Sequence, residues 1–240
     1  MELDSSQFGA EPEELDARLI LSVAGYEKNK DRLAEFPYIR YGEIVLLAQI
    51  CVGEKENDKY PSCIPISKEM LGEWSFSEED LFKKACENSK KLMPGVLRPL
   101  DEYTSLSENL LHPDGNAVPS VYVLTNALHF NGAAALFYQP DLLTSLGEQL
   151  NKSVFALFPT GRNEIYCIAL DSKDLVREYQ ELLDEFSKEQ PETDECIAKK
   201  VVCFDIHRRR LEQMDGVSYP IDLSLKEETK GIHTVHSHAR

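Results

Sequence analysis

The feature of the sequence that most constrains the fold is a long connection, rich in proline and glycine, near the middle of the chain. It runs from residue 94 to residue 119 and contains Pro94, Gly95, Pro99, Pro113, Gly115 and Pro119. Proline lacks a backbone donor and blocks helix continuation, so neither a long helix nor a central strand is expected here. Residues 111–119 form the best linker within it. We therefore expect different sets of elements before and after this connection.

The pattern before the connection predicts helices. Apolar residues recur at helical spacing from Leu15 to Tyr26, in a helix expected to begin near Pro12 and to end before Pro37. Residues 40–53 predict a second helix that is apolar nearly all round, which is typical of a helix covered on both sides.

A third helix, over residues 76–93, has the clearest signals. Ser77 and Asp80 resemble a capping box at its start, and Pro94-Gly95 stops it. A short strand is expected at residues 63–66.

The pattern after the connection predicts strands. They are expected at residues 121–125, 133–138, 153–158, 164–170 and 200–206. Residues 153–158 and 164–170 flank a short loop and predict an antiparallel hairpin. Helices are expected to open at Pro140 and at residues 171–172.

These patterns predict an α+β protein, with a helical N-terminal half followed by a small, mostly antiparallel sheet with packed helices. The helical part covers residues 12–110 and the α+β part residues 118–215, and the two are expected to form one compact unit. Residues 216–240 are interpreted as a tail.

The order of these segments resembles a bacterial family known as domain of unknown function 5688. The most specific residues are 122–126 (YVLTN) followed by 132–136 (GAAAL), and the resemblance extends over residues 19–214. It implies a cytosolic protein with no known activity, substrate or cofactor. The hairpin loop of the family reads Pro-Ser-Ser-x-His-Glu, whereas this chain has Gly161 at the second serine and Asn163 at the histidine. The difference disfavours Ser/His chemistry in this loop.

Composition narrows the function further. The 240 residues carry 26 basic and 42 acidic side chains, a net charge of −16, which disfavours a partner with a phosphate backbone. No apolar run approaches the roughly 18–20 residues of a membrane-spanning helix, and the N-terminus does not resemble a secretory signal. The six cysteines show no C-x-x-C spacing and are interpreted as reduced core residues. A cytoplasmic protein without a cofactor is expected, bound neither to nucleic acid nor to a membrane.

Charge is unevenly distributed along the chain. Residues 178–195 hold eight acidic side chains and one lysine, whereas residues 199–210 hold five basic side chains and one aspartate. The acidic run predicts the solvated face of a helix, with a cation site as the alternative. The basic block is expected either to pair with that helix or to meet an acidic protein partner.

Candidate site residues lie in two loops and in the tail. Asn126, His129 and Asn131 follow the strand at 121–125, and they indicate either a small-molecule pocket or a structural turn. Arg162 and Glu164, in the hairpin loop, are candidates for the same site. The tail residues His233, His236 and His238 have the spacing H-x-x-H-x-H and are candidate ligands for a transition metal.

Two functions are consistent with these residues. The preferred hypothesis is a non-catalytic binding module for an unknown protein partner, which contacts it through a sheet edge or through the two loops. The alternative is a hydrolase or transferase with a pocket near Asn126, His129 and Glu164. The sequence does not predict an oligomeric state.

Overall fold

The computed structural model describes residues 16–51, 62–74, 76–104, 121–159, 161–180 and 197–221. Within these ranges the chain is α+β, with two antiparallel sheets and helices interspersed between strands. None of the described helices combines the length and apolarity needed to span a membrane.

The first sheet and its helices come from residues 19–92. Its strands are β1 (Leu19–Gly25), β2 (Tyr38–Tyr41), β3 (Ile44–Cys51) and β4 (Cys63–Pro65). Helix α1 (Tyr26–Leu33) joins β1 to β2, and α2 (Lys68–Glu73) and α3 (Glu78–Leu92) follow β4. Strand β3 pairs along its length with β1 on one side, and with β2 and then β4 on the other. It is the central strand of this sheet.

The second sheet has seven strands in the order β11-β10-β9-β7-β8-β6-β5. They are β5 (Gly95–Pro99), β6 (Val121–Asn126), β7 (Val154–Phe158), β8 (Ile165–Leu170), β9 (Val202–Asp205), β10 (Arg210–Glu212) and β11 (Ser218–Pro220). Helix α4 (Leu100–Thr104) follows β5, and α5 (Ala135–Tyr138) and α6 (Asp141–Leu150) lie between β6 and β7. Short 3-10 turns cover Gly132–Ala134 and Lys173–Leu175.

The prediction of a helical N-terminal half is wrong. Among the described residues assigned to the first two helices, Leu19–Gly25 and Ile44–Cys51 form β1 and β3, whereas Tyr26–Leu33 forms α1. Both strands are buried almost throughout, because apolar side chains cover both faces of the first sheet. A strand buried on two faces is apolar without alternation, and its pattern resembles that of a helix covered on both sides.

The prediction of a strand at residues 133–138 is also wrong. Gly132–Ala134 and α5 turn helically through this buried stretch. Alanine favours helix, and the run of three alanines outweighs the strand-like apolar composition.

The third helix and the hairpin are confirmed. Ser77 Oγ accepts a hydrogen bond from Asp80 N at 3.0 Å, as an N-cap should, and α3 ends at Leu92 before Pro94. Strands β7 and β8 pair in antiparallel register from Val154↔Leu170 to Phe158↔Tyr166.

One main core is shared by both sheets. It joins Leu21 and Leu46 of the first sheet to Phe155 and Phe204 of the second, together with Phe82 of α3. The opposite face of the first sheet packs on α1 through Val45 and Leu47, and that of the second sheet on residues 175–179.

Side chains and prolines close three sheet edges. The Leu21 N–H of β1 donates to Ser89 Oγ of α3 at 2.9 Å. In β5, Gly95 N–H donates to Gln139 Oε1 at 2.5 Å, and Pro99 has no N–H to offer. In β11, Arg210 Nη2 donates to Ser218 O at 2.9 Å, and Pro220 likewise lacks a donor. These edges are therefore poor templates for a strand from another molecule.

Replacing Ser89 tests the closure of the β1 edge. Because Ser89→Ala leaves the buried Leu21 N–H without its acceptor, we expect the free energy of unfolding to fall by about 1–3 kcal/mol in urea denaturation. Ser22→Ala is the matched control, since the buried Ser22 Oγ makes no hydrogen bond to a described residue. Its removal should leave stability unchanged or raise it. Equal losses in the two variants would contradict the proposed edge closure.

Candidate functional site

The loop after β6 is organised by the side chain of Asn126. Asn126 is fully buried, and its Nδ2 donates to Phe130 O at 2.7 Å. Its Oδ1 accepts from Leu128 N at 3.0 Å and from Phe130 N at 3.3 Å. Both ends of the amide thus substitute for backbone partners inside the turn, as asparagine commonly does.

The hairpin loop between β7 and β8 docks onto the start of the 3-10 turn. Thr125 Oγ1 donates to Asn163 O at 2.7 Å, and Asn131 N donates to Asn163 Oδ1 at 3.1 Å. Ala133 N donates to Arg162 O at 3.1 Å. These three bonds fasten the two predicted loops to each other, and we call residues 125–133 with residues 161–164 the loop lock.

The lock depends on the absence of a side chain at Gly132. A Cβ atom on Gly132 would lie 2.2 Å from Asn163 O and 2.3 Å from Thr125 Oγ1, well inside van der Waals contact. The preceding Asn131 has φ 51°, a left-handed conformation that asparagine tolerates better than most residues. The absence of a side chain at Gly132 thus lets the backbones of the two loops pack closely.

Asn131 also joins the lock to the first sheet. Its Nδ2 donates to Gln49 Oε1 of β3 at 3.3 Å, between two side chains that are both buried. Asn131 Oδ1 is a buried acceptor that makes no hydrogen bond to a described residue. The polar bond between Asn131 and Gln49 therefore crosses from one sheet system to the other.

The five candidate residues differ in burial, and Glu164 is intermediate between two buried and two exposed residues. Asn126 and Asn131 are buried inside the lock, whereas His129 and Arg162 are exposed at its surface. Glu164 Oε1 accepts a hydrogen bond from Tyr166 OH at 2.6 Å. Leu128, with 48% of its surface exposed, stands beside His129 at the tip of the first loop. Of the two interpretations, the structural turn therefore fits Asn126 and Asn131 better than the small-molecule pocket.

The sequence does not indicate two members of the lock, Thr125 and Asn163, or the partner of Asn131 on β3, Gln49. The sequence pattern places Thr125 in a strand and shows Asn163 only as a difference from the family loop. One sequence feature does indicate a special environment for Gln49, because it is a polar side chain within the apolar run at residues 44–51. Their long-range partners are not visible in the sequence.

A pair of cysteines lies next to the lock. Cys51 of β3 and Cys63 of β4 are register partners, and their Sγ atoms are 2.9 Å apart. Both side chains are partly exposed, and neither is in a disulfide bond. The hydrogen bond between the two sulfurs lowers the pKa of Cys51, while burial acts in the opposite direction and the charge of Arg18 assists the lowering. The hydrogen bond to Cys51 and burial raise the pKa of Cys63, and the positive charge of Arg162 partly offsets the increase.

The other described cysteines are different. Cys86, Cys167 and Cys203 are buried, as expected of core residues, and burial raises the pKa of each, that of Cys203 to about 12. Among the cysteines that the structure describes, Cys51 alone has a lowered pKa.

The described part of the basic block pairs with acids outside the run at 178–195. Arg209 forms an ion pair with Asp141, and Lys200 Nζ lies 3.9 Å from Glu43 Oε1. Most of the acidic run lies outside the described residues, so the prediction that the two pair stays a prediction.

His233, His236 and His238, proposed as metal ligands, also lie outside the described residues. Within the described ranges, no three His, Cys, Asp or Glu side chains cluster as a metal site would require.

Two depressions on the surface are lined by other residues. The larger, of about 420 Å³, lies against α3 between the Asp16–Lys84 ion pair and Asp80. The smaller, of about 200 Å³, is bordered by Gly25, Glu43 and Lys199. None of the five candidate residues lines either depression.

Comparison with protein families identifies the chain. The model of the family of unknown function DUF5688 matches residues 2–206, and the protein belongs to this family. The resemblance inferred from the YVLTN and GAAAL residues is confirmed. No curated protein and no solved structure shows a significant match.

Adding a methyl group at Gly132 tests the lock. Gly132→Ala forces Asn163 or Thr125 away, and we expect the free energy of unfolding to fall by about 1–3 kcal/mol. Gly161→Ala is the matched control in the facing loop, because an added Cβ there meets nothing within 4 Å. Urea denaturation of both variants should show a loss only for Gly132→Ala. An unaffected Gly132→Ala variant would disprove the close contact.

Proposed function

We propose that the protein is a cytoplasmic, non-catalytic module that binds a protein partner through the exposed tip of the loop lock. The observation that carries the proposal is that hydrogen bonds between buried side chains and the loop backbone fix the exposed loop tip. Leu128, His129 and Arg162 are exposed, while Asn126, Thr125 and Asn163 beneath them are hydrogen bonded to the backbone of the two loops.

Rigidity supports binding because ordering a loop costs free energy. Fixing the backbone of one residue costs about 1–2 kcal/mol, and a loop already fixed before contact avoids that cost. The side chains at the tip suit a protein surface, since Leu128 offers apolar area and Arg162 a charged, hydrogen-bonding rim.

The closed sheet edges favour the loops over the alternative surface. At the edges of β1, β5 and β11, a backbone group is already bonded to the side chain of Ser89, Gln139 or Arg210, which disfavours an added strand at these three edges. Of the two partner surfaces considered from the sequence, the loops are therefore the better supported.

The enzyme alternative has less support. A hydrolase or transferase pocket near Asn126, His129 and Glu164 would need these side chains turned towards a substrate. The amide of Asn126 is buried and hydrogen bonded within its own loop, and Glu164 accepts a bond from Tyr166. The alternative stays a prediction, and screening the protein for hydrolysis of ester and phosphate substrates would test it.

Altering the loop tip tests the binding proposal. The tagged full chain and the variant Leu128→Ser/Arg162→Glu are used to capture proteins from a lysate of the encoding organism at physiological salt. We expect the wild type to enrich a specific protein and the variant to lose it by about tenfold or more. Truncating an interface anchor commonly costs more than 1 kcal/mol, and 1.4 kcal/mol is a tenfold loss.

Leu92→Ser provides the matched control. Leu92, at the end of α3, is 51% exposed, close to the 48% of Leu128, but lies outside the lock. It should retain the captured protein. If the wild type captures nothing, or if the loop-tip variant captures the same protein as strongly, the proposed binding surface is wrong.

A further inference from the structure

We propose that Cys51 and Cys63 form a reversible intramolecular disulfide, which makes the β3–β4 pair a thiol oxidation site beside the loop lock. The proposal concerns a modification of the protein and does not depend on the partner that the loop tip binds.

The register places the two side chains at a position suited to a disulfide. Ile66 N donates to Ala48 O at 3.0 Å, so Ala48 and Ile66 form a hydrogen-bonded pair of this antiparallel ladder. Hydrogen-bonded and non-hydrogen-bonded pairs alternate, which makes Cys51↔Cys63 a non-hydrogen-bonded pair. The Cα atoms of such pairs are about 4.5 Å apart, within the range of about 4.4–6.8 Å found in disulfides.

The surroundings favour Cys51 as the attacking sulfur. Its thiolate accepts the Cys63 thiol hydrogen bond, and its backbone N–H is bonded to Arg18 O at 3.1 Å, which keeps this cationic residue beside it. These contacts lower the pKa of Cys51 and increase the fraction present as thiolate, the reactive form. Cys51 is also partly exposed, so a small oxidant can reach it.

The reaction balances with a low-molecular-weight disulfide as the oxidant. The Cys51 thiolate attacks one sulfur of the oxidant, and a Cys51 mixed disulfide forms as the first thiolate leaves. Cys63 then gives up its proton and attacks Cys51 Sγ, which releases the second thiolate. Two protein thiols are oxidised to one disulfide, and one small disulfide is reduced to two thiols.

Oxidation should be selective and should stabilise the fold. The buried positions of Cys86, Cys167 and Cys203, and their raised pKa values, leave them unreactive in the native state. The new bond would close a ring over residues 51–63, joining β4 covalently to β3 two residues from Gln49. A closed ring reduces the conformational freedom of the unfolded chain.

The experiment equilibrates the full-length protein with glutathione disulfide and then alkylates the remaining thiols. Peptide mass spectrometry should find Cys51 linked to Cys63, with Cys86, Cys167 and Cys203 alkylated only after unfolding. The oxidised protein should have a Tm several degrees higher than the reduced protein, and Cys51→Ser should abolish this difference.

Single variants test which sulfur attacks. Cys63→Ser should accumulate the glutathione mixed disulfide on Cys51, because no second thiol remains at residue 63 to displace the bound glutathione. In Cys51→Ser, Cys63 loses its hydrogen bond to Cys51 but stays partly buried, and the mixed disulfide on Cys63 should form more slowly than the one on Cys51 in Cys63→Ser. Alkylation of both Cys51 and Cys63 after the oxidising step, or a disulfide linking any other pair, would overturn the proposal.

Discussion

The structure depends on the contact between the backbone of Gly132 and the hairpin loop at Asn163. Since Gly132 carries no side chain, Thr125, Asn131 and Ala133 come close enough to donate hydrogen bonds to residues of the other loop. Two loops joined by bonds between residues 32 and 38 positions apart in the chain therefore behave as one surface. A side chain at residue 132 would push the two loops apart. The exposed side chains of Leu128 and Arg162 would then also move apart.

The lock connects to the rest of the protein through β3. Gln49 receives the bond from Asn131, and the neighbouring Cys51 faces Cys63 on β4. Strand β3 is buried on both faces and pairs on both sides, so it provides a rigid base for these contacts. The proposed binding surface and the proposed oxidation site thus share one support without sharing residues that react or bind.

Local signals predicted part of this fold correctly. The N-cap at Ser77 and the stop at Pro94 located α3, and the short loop between two apolar runs located the β7–β8 hairpin. Strands β1 and β3 were missed because burial on both faces removes the alternation that distinguishes a strand. That error also concealed the cysteine pair, since Cys51 and Cys63 become neighbours only once β3 is a strand.

At the candidate site, turn-forming asparagines indicated the right loop. Its attachment to the rest of the protein depends on Gln49 and Asn163, whose contacts are long-range.

Amide hydrogen exchange of the native protein tests the central claim, that the two loops form one rigid unit, most directly. The amides of Asn131 and Ala133 donate to Asn163 Oδ1 and Arg162 O, respectively. If the two loops form one rigid unit, these two amides should exchange as slowly as the amides of the paired strands β6 and β8. Exchange of these two amides at the rate of an open surface loop, while β6 and β8 remain protected, would contradict the account.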